Sequence, residues 1–278
     1  MDASKFSWTT PDGIEIQGQH WKAEKAVAAV GFVHGMGEHM GRYNHLAEAF
    51  AQSGIASMAY DRRGHGLSGG KRGHTISYEA YIEEIKTLVT HLQQAYGKIP
   101  LFLYGHSMGG NLVLNYLIDQ SPPIQGVIAS APWIELGFKP SPIKVKAGRI
   151  IKSLLPGLSM KNELDPAGIS RDPVMVQAYI DDPLVHDKIT PNTGVNMLEK
   201  AADLNNYSGA IDLPLLIMHG DADPIIDFAA AKAFAERISG PVTFKPWDGG
   251  FHEIHNDINR IDVINYAKEW LLEQTKSA

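Results

Sequence analysis

The sequence predicts an α/β fold in which helices flank a mostly parallel sheet. Short apolar runs of strand length alternate with longer amphipathic stretches along most of the chain, and this alternation stops once, between about residues 132 and 207. Repeated strand and helix are typical of parallel sheets that are covered on both faces. We therefore expect one core, formed by residues 1–131 and 208–278, and a cap formed by the inserted residues 132–207.

The predicted strands are six apolar or β-rich runs that are bounded by Gly, Pro or Asp. In chain order they are VAAVGFVHG, IASMAYD, LFLYGHS, IQGVIASA, LPLLIMHGD and PVTFKPW. Helical patterns lie between them, at about residues 43–53, 78–96, 108–120, 227–238 and 257–274. The inserted segment is rich in Pro, Asp and Lys and has no convincing strand, so we expect helices and loops there.

The composition of the 278 residues argues against several functions. A net charge of -6 does not supply the clustered positive field that nucleic-acid binding needs. Without cysteine the chain has no disulfide, no thiol catalysis and no thiolate metal site. The N-terminus lacks the pattern of a signal peptide, and no apolar run is long enough to cross a bilayer. We therefore expect a cytoplasmic protein.

The stretch LFLYGHSMGG places Ser107 between a predicted strand and a predicted helix. Its core, GHSMG, fits G-x-S-x-G, in which a tight strand-to-helix turn projects the serine hydroxyl at the carboxyl end of a strand. Glycines suit this turn because a Cβ would clash with the neighbouring backbone. A serine hydroxyl is a weak nucleophile at neutral pH, so it requires a base and an acid that orients the base.

Two later loops contain candidates for that acid and that base, in the order typical of this arrangement. DADPII follows the strand LPLLIMHG and offers Asp221 and Asp223, and DGGFHEIH follows PVTFKPW and offers His252 and His255. We favour Asp223 because the apolar Pro-Ile-Ile turn after it can fix its orientation. We favour His252 because the two glycines before it let the imidazole reach inward. Asp221 and His255 are the alternatives.

Attack on a carbonyl also requires hydrogen-bond donors for the developing oxyanion. We expect them to be the backbone N–H of Met108, directly after the serine, and that of Met36 in the loop HGMGEH. The glycine-rich DRRGHGLSGGKRGH fits neither phosphate-binding pattern, and the histidines lack the spacing of a metal site. We therefore expect no metal and no cofactor.

Several spaced motifs resemble those of the monoacylglycerol lipase group of α/β-hydrolases, which is classed with the serine aminopeptidase-like S33 hydrolases. They are PDG near the start, HGMGEHMGRY at 34–43, YDRRGHGLSGG at 60–70, GHSMGG at 105–110, SAP at 130–132, HGDADPIID at 219–227 and GGFHEIHND at 249–257. The resemblance implies an α/β-hydrolase fold with a helical cap inserted after the sixth strand. It also implies that Ser107, Asp223 and His252 are nucleophile, acid and base.

The resemblance further implies that Glu38, Arg42 and His255 are substrate-binding residues that lie near a polar pocket for the glycerol part of a lipid ester. The alternative is a Glu–Arg ion pair that braces the loop after Met36, together with a surface histidine.

The stretch SPIKVKAGRIIKSLLPGLS predicts a basic amphipathic helix in the cap. Its apolar face consists of Ala147, Ile150, Ile151, Leu154, Leu155 and Leu158. Two interpretations are open: the face covers the core and lines a tunnel for an acyl chain, which we favour, or it lies on a membrane or micelle surface in transient peripheral contact.

The leading functional hypothesis is hydrolysis of monoacylglycerols to glycerol and fatty acid through an acyl-enzyme. A lysophospholipase, a general or short-chain carboxylesterase or an aminopeptidase would share every catalytic residue and differ only in the cap. Folds of this class also serve as non-enzymatic ligand receptors. The expected partner is a small lipid ester rather than a nucleic acid, and no sequence feature specifies an oligomeric state.

Overall fold

The computed structural model describes residues 3–138 and 141–276, which contain ten strands. They are β1 (Ala3–Thr9), β2 (Glu15–Trp21), β3 (Ala28–Val33), β4 (Ile55–Tyr60), β5 (Leu101–His106), β6 (Gly126–Ser130), β7 (Met160–Lys161), β8 (Lys188–Ile189), β9 (Leu215–Gly220) and β10 (Val242–Trp247). Eight of them form one sheet in the order β1-β2-β4-β3-β5-β6-β9-β10. The pairs β1–β2 and β2–β4 are antiparallel, and the remaining pairs are parallel. The predicted, mostly parallel sheet is therefore confirmed.

Eight α-helices are described in the same residues: α1 (Asn44–Ala51), α2 (Tyr78–Tyr96), α3 (Met108–Gln120), α4 (Pro142–Leu154), α5 (Pro173–Asp181), α6 (Pro191–Asn206), α7 (Phe228–Arg237) and α8 (Arg260–Gln274). Helices α2 and α3 have the predicted bounds. Helix α2 begins after Ser77, whose hydroxyl accepts a hydrogen bond from the Ala80 N–H, and α7 begins after Asp227, whose carboxylate accepts one from the Ala230 N–H. Such caps satisfy N–H groups that have no partner in the first turn.

Two apolar clusters cover the two faces of the sheet. Side chains of α2, α3, α6 and α7 pack on one face, and those of α1 and α8 pack on the other. Strand β5 contributes to both, because Leu101 and Leu103 point to the first cluster and Phe102 and Tyr104 to the second. Burial of each such side chain contributes about 1.5–3 kcal/mol, so the central strand that carries Ser107 is held from both sides.

The sequence analysis missed two pairs of strands and misplaced the start of one helix. It assigned no strand to β1 and β2. Exposed and partly buried side chains alternate in β1, and polar residues such as Gln17 and Gln19 interrupt β2, so neither strand forms a continuous apolar run. The expectation of no strand between residues 132 and 207 is also wrong, because β7 and β8 pair there. Helix α8 begins at Arg260 rather than near 257, since Ile254–Asn256 form a separate 3-10 turn.

The predicted amphipathic helix is present as α4, but four of the six residues assigned to its apolar face do not cover the core. Ile150, Leu154, Leu155 and Leu158 are exposed, Leu154 to 74%. Helix α4 packs against α6 through a different side, where a Cβ on Gly148 would lie 3.7 Å from Val195 of α6. The interpretation that we favoured from sequence is therefore wrong for these four residues. Within the part of the chain that the structure describes, no helix has both the length and the hydropathy needed to cross a membrane.

Candidate active site

Ser107 occupies a sharp turn between the end of β5 and the start of α3. Its backbone has φ 54° and ψ -116°, a conformation that costs a residue with a side chain about 1–3 kcal/mol. The glycines around it are required by space: a Cβ on Gly105 would collide with the Gly109 carbonyl, and one on Gly109 would collide with the Val33 carbonyl. The strained backbone and the close packing place the serine side chain at the carboxyl edge of the sheet.

His252 and Asp223 form a hydrogen-bonded pair at the same edge. The distance from His252 Nδ1 to Asp223 Oδ2 is 2.7 Å, and the Asp223 side chain is fully buried. The other carboxylate oxygen accepts backbone N–H groups from Ile225 and Ile226 at 2.8 and 3.1 Å. Ser107 and His252 line one cavity. The structure thus brings the three side chains favoured from sequence to one place.

The two alternatives lie elsewhere. Asp221 is exposed, and its carboxylate accepts the Gly249 N–H at 2.7 Å, which supports the loop rather than an imidazole. His255 is fully buried and stacks on Tyr43, with no hydrogen-bond partner at either ring nitrogen. Burial lowers the pKa of His255 to about 3, so its ring is neutral. Neither residue is among those that line the cavity.

His219 is a contact of Asp223 that the sequence analysis did not identify. Its Nε2 lies 2.9 Å from the same carboxylate oxygen that accepts from His252, and its ring is fully buried. Because an ionised carboxylate only accepts hydrogen bonds, His219 Nε2 carries a proton and donates it to Asp223. The available signal was the spacing in HGDAD, which puts the imidazole four residues before the carboxylate at the end of a strand.

The pair shifts the pKa values of both partners. Burial by itself raises the pKa of Asp223, but the charge of His252 and the hydrogen bonds from His219 and His252 outweigh burial and hold that pKa far below its ordinary value. Burial lowers the pKa of His252, and the charge of Asp223 together with its hydrogen bond outweighs burial and raises it. The imidazole therefore accepts a proton more readily than a free histidine does.

The two residues expected to form the oxyanion hole, Met36 and Met108, lie close to Ser107. Met108 is the first residue of α3, whose first-turn N–H groups have no partner within the helix and carry the positive end of its dipole. Gly35, directly before Met36, touches the serine closely: a Cβ on it would lie 3.3 Å from the Ser107 Cβ. Its own N–H donates to Glu38 Oε1 at 2.5 Å, which fixes the loop. Met36 lines the cavity beside Ser107.

Glu38, Arg42 and Glu253 form a buried ion-pair network beside the cavity. Arg42 donates to both carboxylate oxygens of Glu253, at 2.6 and 2.7 Å, and to Glu38 Oε2 at 3.0 Å. Its guanidinium also lies 4.7 Å from the ring centre of Tyr179 on α5. Burial raises the pKa of Glu38. Burial also acts to raise that of Glu253, but Arg42 outweighs it and lowers the pKa to about 2.

Of the three residues expected near the polar pocket, one lines the cavity itself. Glu38 lines the cavity, but Arg42 and His255 are not among its lining residues. Arg42 is the partner of two carboxylates, as in the ion-pair alternative. His255 is buried against the rings of Tyr43, Tyr104 and His106 and does not lie at the surface. The sequence analysis missed Glu253 and Tyr179, which both line the cavity.

The cavity has a polar and an apolar part and a volume of about 410 Å³. Its polar side chains include Glu38, Glu253, His186, Asp187 and Asn162. A smaller, mostly apolar pocket adjoins it at Ser107 and Met36, and is lined by Trp133, Leu136, Phe138, Ile189 and Ile226 among others. Trp133, Leu136 and Phe138 also line a third pocket of about 210 Å³ against α6. Polar and apolar surfaces thus diverge from the serine.

No three acidic or histidine side chains of residues 3–138 and 141–276 are grouped in a way that could hold a metal ion. The chemistry available here is that of a serine, an imidazole, a buried carboxylate and backbone N–H groups.

Comparison with known proteins gives matches over nearly the whole chain. The sequence model of the family described as serine aminopeptidase, S33 matches residues 24–259. A monoacylglycerol lipase of Mycolicibacterium smegmatis is 31% identical, over 97% of this chain and 97% of its own. An uncharacterized abhydrolase domain-containing protein of Dictyostelium discoideum is 35% identical over 100% of this chain, which spans 30% of that relative's length. The crystal structure of a Paleococcus ferrophilus monoacylglycerol lipase is 32% identical, covers 99% of this chain and 100% of that one, and superposes with a TM-score of 0.83.

Proposed function

Because the chain belongs to the serine aminopeptidase S33 family of α/β-hydrolases, we propose that it is a serine hydrolase that cleaves monoacylglycerols to glycerol and fatty acid. The observation that carries this proposal is the position of Ser107, which shares a cavity with the Asp223-paired His252 at the point where a polar and an apolar surface diverge. A monoacylglycerol has the matching shape, with a polar and an apolar group on either side of one ester bond.

In the proposed mechanism Ser107 is the nucleophile, His252 the base and Asp223 the acid that orients it. His252 takes the hydroxyl proton as Ser107 Oγ attacks the ester carbonyl, and the oxyanion accepts hydrogen bonds from the Met36 and Met108 N–H groups. Protonated His252 then gives its proton to the departing glycerol oxygen. Water repeats the sequence on the acyl-enzyme and releases the fatty acid. The raised pKa of His252 supports this role, since a stronger base takes the serine proton more easily.

The substrate would lie with its glycerol in the polar part of the cavity and its acyl chain in the apolar pockets. Glu38 and Glu253 present carboxylate oxygens beside the serine, which accept hydrogen bonds from hydroxyl groups. Trp133, Leu136 and Phe138 link the apolar pocket at Ser107 to the pocket against α6. Each methylene buried there contributes about 0.8 kcal/mol, so we expect a preference for medium or long chains.

Residues 132–207 would act as a cap over a core formed by residues 1–131 and 208–278. Tyr179, Val185 and His186 of this segment line the same cavity as Ser107, which supports the assignment.

The exposed face of α4 would make transient contact with a membrane or micelle surface. Ile143, Ile150 and Leu154 are exposed there together with Lys146 and Arg149. Apolar side chains flanked by basic ones suit a surface of anionic lipid. Sedimentation with anionic and with neutral vesicles, for the wild type and for Ile150→Ser/Leu154→Ser, tests this part independently of catalysis.

The experiment that tests the function is a substrate panel at equal concentration with Ser107→Ala as the blank. It contains monoacylglycerols of several chain lengths, a di- and a triacylglycerol, a lysophospholipid and a simple alkyl ester. Fastest acid release from monoacylglycerols is expected. A faster lysophospholipid or alkyl ester would refute the glyceride assignment while leaving the serine hydrolase in place. Absence of labelling of Ser107 by a fluorophosphonate would instead favour a non-enzymatic ligand-binding protein.

A further inference from the structure

The Met36 N–H shares a peptide unit with the Gly35 carbonyl. A peptide unit is planar, and none in the described chain is cis, so its N–H and C=O point in opposite directions. Whatever holds the Gly35 oxygen therefore also sets the direction of the Met36 N–H. The groups around that oxygen decide how well this donor is fixed beside Ser107.

The Gly35 oxygen accepts two hydrogen bonds from buried side chains. One comes from Arg62 Nη2 at 2.5 Å, and the other involves His34 Nδ1 at 2.9 Å. The protonation of His34 follows from a third contact, since the Arg62 backbone N–H donates to His34 Nε2 at 3.0 Å. With Nε2 as acceptor, the proton of the neutral ring is on Nδ1, from which it is donated to Gly35. Burial and the neighbouring Arg62 lower the pKa of His34 well below its ordinary value, in agreement with a neutral ring.

Arg62 carries a buried charge that is not balanced by an ion pair. Its side chain is 0% exposed, and its Nε and Nη1 have no hydrogen-bond partner. No ion pair joins it to a carboxylate of the described residues; the buried Glu84 on α2 is paired with Arg63 instead. The aromatic face of Tyr81 lies 5.5 Å away. An unpaired buried charge is costly, so a role in stability alone explains this arrangement poorly.

A cation on a carbonyl oxygen strengthens the donor at the other end of the peptide. Hydrogen bonds to a charged group are stronger than neutral ones, and bonds in a chain polarise one another. The Gly35 N–H is held as well, by Glu38 Oε1. Hydrogen bonds thus hold both the N–H and the carbonyl of Gly35, and so the two peptide units on either side of this residue, before substrate binds. An oxyanion hole requires this kind of preorganisation.

We propose that Arg62 is a positioning residue of the oxyanion hole: with His34 it clamps the Gly35 carbonyl, and its charge polarises the Gly35–Met36 peptide so that Met36 becomes a stronger donor to the oxyanion. The inference rests on the proposed function, because it requires the Met36 N–H as the oxyanion donor. Arg62 does not touch the substrate.

The test compares a p-nitrophenyl ester with its thionoester analogue. In the thionoester the developing anion is on sulfur, which is a weak hydrogen-bond acceptor, so a weakened oxyanion hole slows the ester more than the thionoester. Removal of one oxyanion donor lowers kcat by about 10²- to 10³-fold, and Arg62→Met, which weakens a donor without removing it, should lower kcat on the ester by about 10- to 100-fold. KM should change less than about twofold, and the ester-to-thionoester ratio of kcat should fall about tenfold. Arg62→Lys, which keeps the charge, should give an intermediate ratio.

Arg63→Met is the matched control. Arg63 is the adjacent buried arginine, but it contacts Glu84 and Asp12 and not Gly35. Its replacement should leave the ester-to-thionoester ratio of kcat unchanged. If Arg62→Met does not fold, the ratio is measured for His34→Phe, which removes the other donor to Gly35 and keeps Arg62; a fall of about threefold is expected. An unchanged ratio in the folded variants, with or without a loss of rate, overturns the inference.

The same assay separates this inference from the proposed function. A wild-type ester rate equal to that of Ser107→Ala would refute the serine hydrolase and the role of Arg62 together. Turnover that depends on Ser107, with a ratio that does not respond to Arg62, would refute the role of Arg62 alone.

Discussion

Replacement of Arg42 by Met should destabilise the folded protein by about 3–5 kcal/mol at neutral pH, the cost of breaking a buried ion pair. Arg42 bridges Glu38 and Glu253, whose side chains are 2% and 4% exposed. The pKa of Glu253 is lowered from 4.5 to about 2. Each tenfold change in proton affinity corresponds to about 1.4 kcal/mol, so folding stabilises the ionised Glu253 by about 3 kcal/mol. This contribution is present above pH 4.5 and is lost as the pH falls toward 2.

The loss of folding stability in the Arg42→Met variant should be larger at higher pH. Without the guanidinium, burial and mutual repulsion raise the pKa values of both carboxyl groups above their ordinary values. The folded variant then binds more protons than its unfolded chain, and its stability falls as pH rises. The difference from the wild type should therefore be larger at pH 7.5 than at pH 5.

Urea unfolding at these two pH values, followed by tryptophan fluorescence, measures the difference in the free energy of unfolding. The control is Arg260→Met, because Arg260 pairs with Asp172 at 3.0 Å while its side chain is 40% exposed; a pair of this kind contributes less than about 1 kcal/mol. The reasoning would be refuted if Arg42→Met and Arg260→Met lowered the free energy of unfolding equally. It would also be refuted if Arg42→Met lowered it by the same amount at both pH values. A rise in KM for monoacylglycerols without a loss of stability would instead indicate direct binding of glycerol by Arg42.

Three further predictions concern the reaction. Ser107→Ala and His252→Ala should each lower kcat by about 10⁴- to 10⁶-fold, and residual activity above a few per cent in purified protein would contradict their roles. The acid limb of a kcat/KM profile should have its midpoint above pH 6.5, because His252 must be neutral to act and its pKa is raised above that value. Asp223→Asn should move the midpoint to lower pH and reduce kcat by about 10⁴-fold; an unmoved limb would show that another group titrates. Leu136→Trp should fill the apolar pocket beside the serine and so favour substrates with short acyl chains. The value of kcat/KM should fall by about fourfold for each methylene that is excluded from the pocket. An unaltered dependence of kcat/KM on acyl-chain length would mean that the acyl chain lies elsewhere.

Five of the six parallel strands were predictable because they are buried on both faces, whereas the half-buried β10 was predictable from its β-branched and aromatic residues. In β3, β4, β5, β6 and β9 every residue is buried, so each strand is a nearly continuous apolar run bounded by turn residues. Strands β1 and β2 lie at one end of the sheet. Lys, Ser, Gln and His occur among their apolar residues, so neither strand is a continuous apolar run. Two-residue strands such as β7 and β8 are held by main-chain pairing and have no side-chain pattern to detect.

For α4 the sequence predicted the element correctly and its surroundings wrongly. Its periodicity correctly predicted a helix, because that pattern reflects the side on which apolar residues gather. Periodicity does not reveal what covers the apolar side. Helix α4 contacts α6 near Gly148, and Ile150 and Leu154 point away from the rest of the chain.

The sequence by itself determined which chemistry the chain carries. The turn around Ser107 is a local structure that requires glycines at fixed spacing, and the loops that hold Asp223 and His252 follow recognisable strands in a recognisable order. Only the tertiary structure decided which carboxylate meets which imidazole, that His219 shares Asp223, and that Arg42 is paired with Glu253, 211 residues away. Pairing and burial of residues far apart in the chain depend on how the strands are ordered and how the loops pack, and neither leaves a pattern in the neighbouring residues.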